Sequence, residues 1–196
     1  MHPYATDSSE RKHVPPLLMG VSILLAYLLH WGLIWSRLTV PWWLDAPSTI
    51  GFYSLVHSSF DRWGWRDLWI RMLLGVKLPI LAGKWRGHCT SSFDNHITQY
   101  EIEVTIRQNW RSLAIVLHTP TSSSFSLTAG IHVDDPKGIA LTYCYMNEPK
   151  PGASAAMNTH SGTAHLVLDG DVMDGEYYSG RGRQNFGSII IQRQRF

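Results

Sequence analysis

Apolar residues fall into two regimes along the chain: long runs before residue 80, alternation after it. From Leu17 to Trp35 the chain reads LLMGVSILLAYLLHWGLIW, without a charged side chain. About 19 such residues cross ~30 Å of hydrocarbon as a helix. A polar tail precedes the run and no small-residue cleavage site follows it, which favours a membrane span over a signal peptide. A weaker apolar stretch, Val40 to Phe60, carries Ser54, His57 and two prolines. So close behind the first, it reads as the return leg of a helical hairpin whose polar residues face a partner helix or subunit. The pattern predicts transmembrane helices at about 17–36 and 40–60 within an N-terminal membrane region, 1–80. The segment from Asp61 to Pro79 interleaves tryptophans with basic residues and reads as an interfacial linker.

After Pro79 the period becomes two. In YEIEVTIRQ, Tyr100, Ile102, Val104 and Ile106 point one way; Glu101, Glu103, Thr105 and Arg107 point the other. Similar runs recur to the C terminus, separated by turn clusters such as DDPKG and DGDVMDG. They predict an all-β domain over 81–196, a compact eight-stranded antiparallel up-and-down barrel or a sandwich. The opening GKWRG, Gly83 to Gly87, resembles the first strand of lipocalin-type barrels, in which the tryptophan plugs one end. That favours the lipocalin-like barrel.

Composition narrows the function. The 196 residues carry a net charge of +2, too little for a general nucleic-acid binder. Two cysteines, Cys89 and Cys144, stand far apart, which suits a reducing compartment. Arg11 and Lys12 precede the first span, Arg62, Arg66, Arg71 and Lys77 follow the second, and only Arg37 lies between. By the positive-inside rule the N terminus and the barrel both lie in the cytoplasm. No zinc-protease, P-loop, Rossmann or nucleophile-elbow motif is present, so an enzyme is not expected, nor a cofactor. His160 and His165 fall on opposite faces of a strand, and DGDVMDGE lacks calcium-ligand spacing, so no metal site is expected either.

Aromatic and polar groups gather near strand ends. Trp110, Ser123, Tyr145, Asn147, Thr163, Tyr178 and Arg181 form the predicted ligand site. Rings stack on nucleobases, hydroxyls and amides read base edges, and arginine grips phosphate. The alternative is that the tyrosines and Trp110 are ordinary core. The run YYSGRGR, Tyr177 to Arg183, poses the same choice. Its arginines either stack on Trp85 and close the barrel floor, or bind phosphate at the mouth.

Two apolar spans followed by GKWRGHC, IRQNWRSLAIVLHTPTSSSFS, LTYCYMNEP, HSGTAHL and GEYYSGRGRQNFGSIII resemble the two-transmembrane, β-strand-rich effectors of bacterial CBASS anti-phage systems, the CD-NTase-associated protein fifteen family. The likeness runs from Leu17 to the C terminus and rests on the order and spacing of these motifs. It implies a barrel that senses a cyclic dinucleotide made by a partner nucleotidyltransferase. It further implies homo-oligomerisation of the membrane spans, disruption of the bacterial inner membrane and growth arrest. Ser179 stands where the family commonly has threonine, which keeps the hydroxyl and removes a methyl. A membrane-tethered lipocalin-like carrier of a lipid or other apolar molecule is the alternative, and it requires an apolar cavity.

Overall fold

Strands of period two turn one face inward, and tight turns between them let the sheet curl and close. The computed structural model describes residues 1–36, 42–151, 158–180 and 183–194. It divides into two units, Met1–Ser8 with Leu78–Phe196, and Ser9–Lys77.

The first unit is a closed barrel of β1 (His2–Thr6), β2 (Gly83–Cys89), β3 (Tyr100–Gln108), β4 (Ser112–His118), β5 (Ser122–His132), β6 (Ile139–Pro149), β7 (His160–Asp169), β8 (Val172–Ser179) and β9 (Phe186–Arg193). β2 to β9 form the expected antiparallel meander, and β2 pairs with β9 from Trp85↔Arg193 to Cys89↔Ile189. DGDVMDGE forms the β7–β8 hairpin turn around Gly170, whose φ of 56° suits glycine.

The barrel has nine strands where eight were expected. The cause lies in β5, whose register shifts between Ser126 and Thr128. β4 and β5 pair directly only over Val116–His118 and Ser123–Phe125. Beyond the bulge they part, and their open edges are taken up by β1. His2 and Pro3 pair antiparallel with β4, and Tyr4, Ala5 and Thr6 run parallel to β5. Tyr4 donates to the Trp110 carbonyl at 2.7 Å. Asp7 accepts the Val133 and Asp134 amides at 2.8 and 3.3 Å. The barrel unit therefore includes the first eight residues, which the sequence reading gave to the membrane region.

The barrel is solid at one end. Trp85, Val104, Ile106, Leu113, Ile115, Ile131, Leu141, Leu166, Met173 and Ile191 are buried there. The floor is closed by the stretch before β2. Trp85 Nε1 donates to the Leu81 carbonyl at 3.0 Å, and the buried Gln108 amide bridges Leu81 N and Pro79 O. The cation over Trp85 is Arg193, at 4.3 Å from the ring centroid. It also donates to the carbonyls of Ala82 and Ile80 at 2.9 and 2.6 Å. The floor arginine was expected from the YYSGRGR run; cross-barrel register supplies it from the end of β9 instead.

The second unit holds α1 (Glu10–Trp35), α2 (Trp42–Arg62) and α3 (Leu68–Leu74). Among the described residues α1 is the one helix long and apolar enough to cross a membrane. It begins earlier than the apolar run, and Pro15 and Pro16 fall within it. Glu10 Oε2 accepts the Lys77 amide at 2.6 Å, and His13 bonds the Leu74 carbonyl at 2.9 Å. The end of this unit is thus tied to the start of α1. α3 is capped by Asp67, whose carboxylate accepts the Trp69 and Ile70 amides, and it ends at Gly75 in the left-handed region. Leu68, Trp69, Met72 and Leu73 on α3 are all exposed.

Candidate functional site

Along most strands the inward residues change character from floor to mouth. On β6 they run Leu141, Tyr143, Tyr145, Asn147; on β8, Met173, Gly175, Tyr177, Ser179; on β3, Ile106, Val104, Ile102, Tyr100. β5 passes from Ile131 and Ala129 to Ser126, Ser124 and Ser122. Aliphatic groups fill the floor half, and rings and hydroxyls surround a cavity of about 280 Å³ in the mouth half.

Tyr143, Tyr145 and Tyr177 stand on one wall, the first two with ring centroids 6.2 Å apart. Gly162, opposite Tyr145 on β7, makes room for that ring: a Cβ there would lie 2.4 Å from the phenol. Gly187 does the same for Tyr177, whose hydroxyl donates to the Thr90 carbonyl at 3.0 Å. Ser122, Ser124, Asn147 and Ser179 are buried and line the cavity. Ser122 is engaged with Thr119 at 3.0 Å, while Ser124 and Asn147 make no side-chain bond to the described residues and offer their polar atoms to a ligand.

At the lip stands Arg183, which lines the cavity and lies over the Phe93 ring at 5.9 Å. With the Asn185 amide turned to satisfy both groups, its oxygen accepts from Arg183 Nε at 3.0 Å and its nitrogen donates to the Arg183 carbonyl at 3.1 Å. No carboxylate pairs with Arg183 among the described residues. Burial pushes the Tyr145 phenol up to about 12, against a smaller opposite pull from Ser179 and Arg183. Burial raises Tyr143 and Tyr177 as well, and takes the Cys89 thiol to about 11. The wall therefore presents neutral phenols and a neutral thiol at ordinary pH.

Residues 76–193 match the family model described as "Cap15, cyclic dinucleotide receptor domain". The chain is also 35% identical over 147 residues to CD-NTase-associated protein 15 of Yersinia aleksiciae, covering 73% of this chain and 68% of that protein. The chain belongs to the Cap15 family. The Cap15 match spans β2 to β9, the strands that wall the cavity, and leaves β1 outside.

Of the seven residues predicted for the site, Tyr145 and Asn147 line this Cap15 cavity. Thr163 and Tyr178 pair with each other on the outer wall, and Tyr178 is 57% exposed. Ser123 also faces outward, bonding His118 at 3.0 Å, while its neighbours Ser122 and Ser124 turn in. Trp110 is buried in the β3–β4 turn at the floor end, so the structure does not bring it to the cavity. Arg181 lies outside the described residues. Three of these placements differ from expectation by one position, because a shift of one along a strand moves a side chain to the other face. Tyr143, Tyr177, Ser179 and Arg183, each next to or near a chosen residue, also line the cavity though they were not among the seven; Phe93, Tyr100 and Cys89 line it too and gave no signal of a site in the sequence.

Proposed function

We propose that this protein is a membrane-anchored receptor that takes a cyclic dinucleotide, made by a partner nucleotidyltransferase, into the mouth of its barrel. Binding then drives the helices of neighbouring copies together, disrupts the bacterial inner membrane and arrests growth, as a CBASS effector does. The observation that carries the reading is the composition of the cavity. Stacking rings (Tyr143, Tyr145, Tyr177), base-edge groups (Ser124, Asn147) and an arginine that pairs with no carboxylate among the described residues meet there, which is the chemistry that nucleotides demand. The match to a cyclic dinucleotide receptor domain supports the same ligand class.

Connectivity supports a double crossing. The helical unit is bracketed by β1 and β2, both strands of one barrel. A segment so bracketed crosses a bilayer an even number of times, so a chain that leaves along α1 returns along α2, whose 21 residues span about 30 Å at ~1.5 Å per residue. The loop charges then set the N terminus and barrel in the cytoplasm. The exposed apolar side chains of α3 suit the inner membrane surface. No catalytic step forms part of the proposal. Most of the cavity surface is apolar, as a carrier of apolar molecules also requires; Ser124, Asn147 and Arg183, which such a cargo would leave without partners, favour the nucleotide.

Calorimetry of the full-length chain in lipid nanodiscs, against a panel of cyclic dinucleotides and a long-chain fatty acid, tests the reading. Saturable binding of at least one cyclic dinucleotide is expected. Binding of the fatty acid alone would refute it.

A further inference from the structure

The cavity is small for its proposed ligand. Small-molecule pockets run from ~300 to 1,000 Å³, and a cyclic dinucleotide, with two bases, two riboses and two phosphates, needs the upper part of that range. The 280 Å³ here cannot enclose it. Part of the ligand must lie outside, and the lip shows where. Phe93 lines the cavity yet is 69% exposed; Phe186, at the head of β9, pairs with Tyr178 and faces the outer wall. The Phe186 amide donates to Ser92 Oγ at 3.1 Å, which ties that strand to the turn carrying Phe93. His96 packs on Phe186 with ring centroids 5.4 Å apart.

The two lip loops are also the strained part of the backbone. Among the described residues the non-glycine positions with positive φ are Asn95 (57°), His96 (61°) and Gln184 (50°), on the loops after β2 and before β9. Such conformations persist where surrounding contacts impose them, and they gather at ligand sites. The first loop is pinned by Asp94, whose carboxylate accepts the Thr98 amide at 3.0 Å and the Tyr100 hydroxyl at 3.1 Å. An exposed aromatic ring on a fixed loop, with an arginine over it, forms a platform for a planar group next to a phosphate.

We propose that the site is asymmetric: one base enters the cavity, and the second stacks outside on a shelf made by the exposed face of Phe93, with Arg183 meeting a phosphate between them. This rests on the cyclic dinucleotide reading above and adds a subsite to it. The inner base contacts Asn147, Ser124 and the tyrosine wall. The outer base makes stacking contacts alone, so the shelf tolerates different bases and the cavity selects among them.

The test uses full-length protein in nanodiscs and two probes: a cyclic dinucleotide bound by the wild type, and the 3′,5′-cyclic mononucleotides of its bases. Phe93→Ala is expected to weaken the dinucleotide about ten- to a hundredfold, and Phe186→Ala, on the outer wall, to leave it within about twofold. In Phe93→Ala the mononucleotide affinity, read at millimolar concentration, should fall by a smaller factor than the dinucleotide affinity, and Phe93→Trp should restore dinucleotide binding. Both rings are exposed, so melting temperatures of the variants should match the wild type. Unchanged dinucleotide affinity in Phe93→Ala overturns the shelf and leaves the receptor reading standing. Equal loss for both probes also overturns it, since the Phe93 ring would then only shape the cavity. A wild type that binds the dinucleotide but no mononucleotide overturns the one-base cavity. A wild type that binds no cyclic dinucleotide removes the receptor reading, and the shelf with it.

Discussion

Arg193→Met separates the floor of the barrel from its mouth. The substitution keeps an unbranched stem over Trp85 and removes the charge. It deletes two charge-assisted bonds, to the carbonyls of Ala82 and Ile80 at 2.9 and 2.6 Å, the cation over Trp85 at 4.3 Å, and the pair with Asp171 at 3.4 Å. Each such bond contributes about 1.5 kcal/mol at the lower end of its range, which is the appropriate end because the side chain is 22% exposed. The ring contact adds about 1 kcal/mol and the half-exposed pair with Asp171 almost nothing. The methionine stem recovers about 1 kcal/mol of packing on Trp85. The expected loss is about 3 kcal/mol, or roughly 10 °C in melting temperature for a domain of this size. Tryptophan fluorescence of the ligand-free full-length chain reads it. Arg193 stands at the opposite end from the cavity-lining groups, so ligand affinity below the transition should stay within about twofold, under ~0.5 kcal/mol. An unshifted melting temperature would refute the account of floor closure. A large affinity loss in a stable variant would show that floor and mouth are not independent.

Gly162→Ala places a Cβ 2.4 Å from the Tyr145 phenol and 2.5 Å from the Tyr178 carbonyl; the backbone cannot yield as the ring can, so calorimetry should show lost ligand binding and thermal melting a loss of about 1–3 kcal/mol. Tyr145 has its pKa raised to about 12 by burial, so its contribution to stability is complete below the ordinary value of 10 and is lost as pH rises through about 12; alkaline unfolding of Tyr145→Phe should show a weaker dependence on pH over that window. Asp7 is held below its ordinary value of 3.8, chiefly by the Val133 amide. Its contribution is present above that value and lost as pH falls below it, so the protection of the Tyr4–Thr6 amides against hydrogen exchange, relative to their intrinsic rates, should fall in acid, and in Asp7→Asn at neutral pH.

How much of this was legible in the sequence depends on how local each signal was. The meander from β2 to β9 was readable because every strand carries its own alternation and a turn at its end. β1 was not: HPYAT is five residues with one buried ring, and it has a place only because β4 and β5 diverge 110 residues later. The same long-range pairing hid the role of Arg193, whose partner Trp85 is its neighbour only through the closure of β2 on β9. The helix α1 was legible because its apolar run is long, and it is apolar enough to cross a membrane. α2 is helical over most of the second apolar stretch, but that stretch carries no comparable hydropathy signal.

The errors of one position in the site have two causes, and only one was avoidable. On β8, Asp174 and Glu176 must face water, so Tyr178, of the same parity, faces water with them and Tyr177 and Ser179 turn inward. On β7 the buried Ala164 and Leu166 put Thr163 outside by the same rule. Both placements could have been read from the strand alone. On β5 the rule misleads. Counting back by twos from the buried Ile131 reaches Ala129, Leu127, Phe125 and Ser123, an apolar run that looks like the inner face. The bulge at Leu127 inserts one residue, reverses the parity, and turns Ser126, Ser124 and Ser122 to the interior, leaving Phe125 and Leu127 exposed. One irregularity thus lines the mouth with hydroxyls where an unbroken strand would have put a phenylalanine and a leucine. It also parts β4 from β5 to admit β1. The polarity of the cavity and the ninth strand have a common origin, and neither can be predicted without locating that bulge.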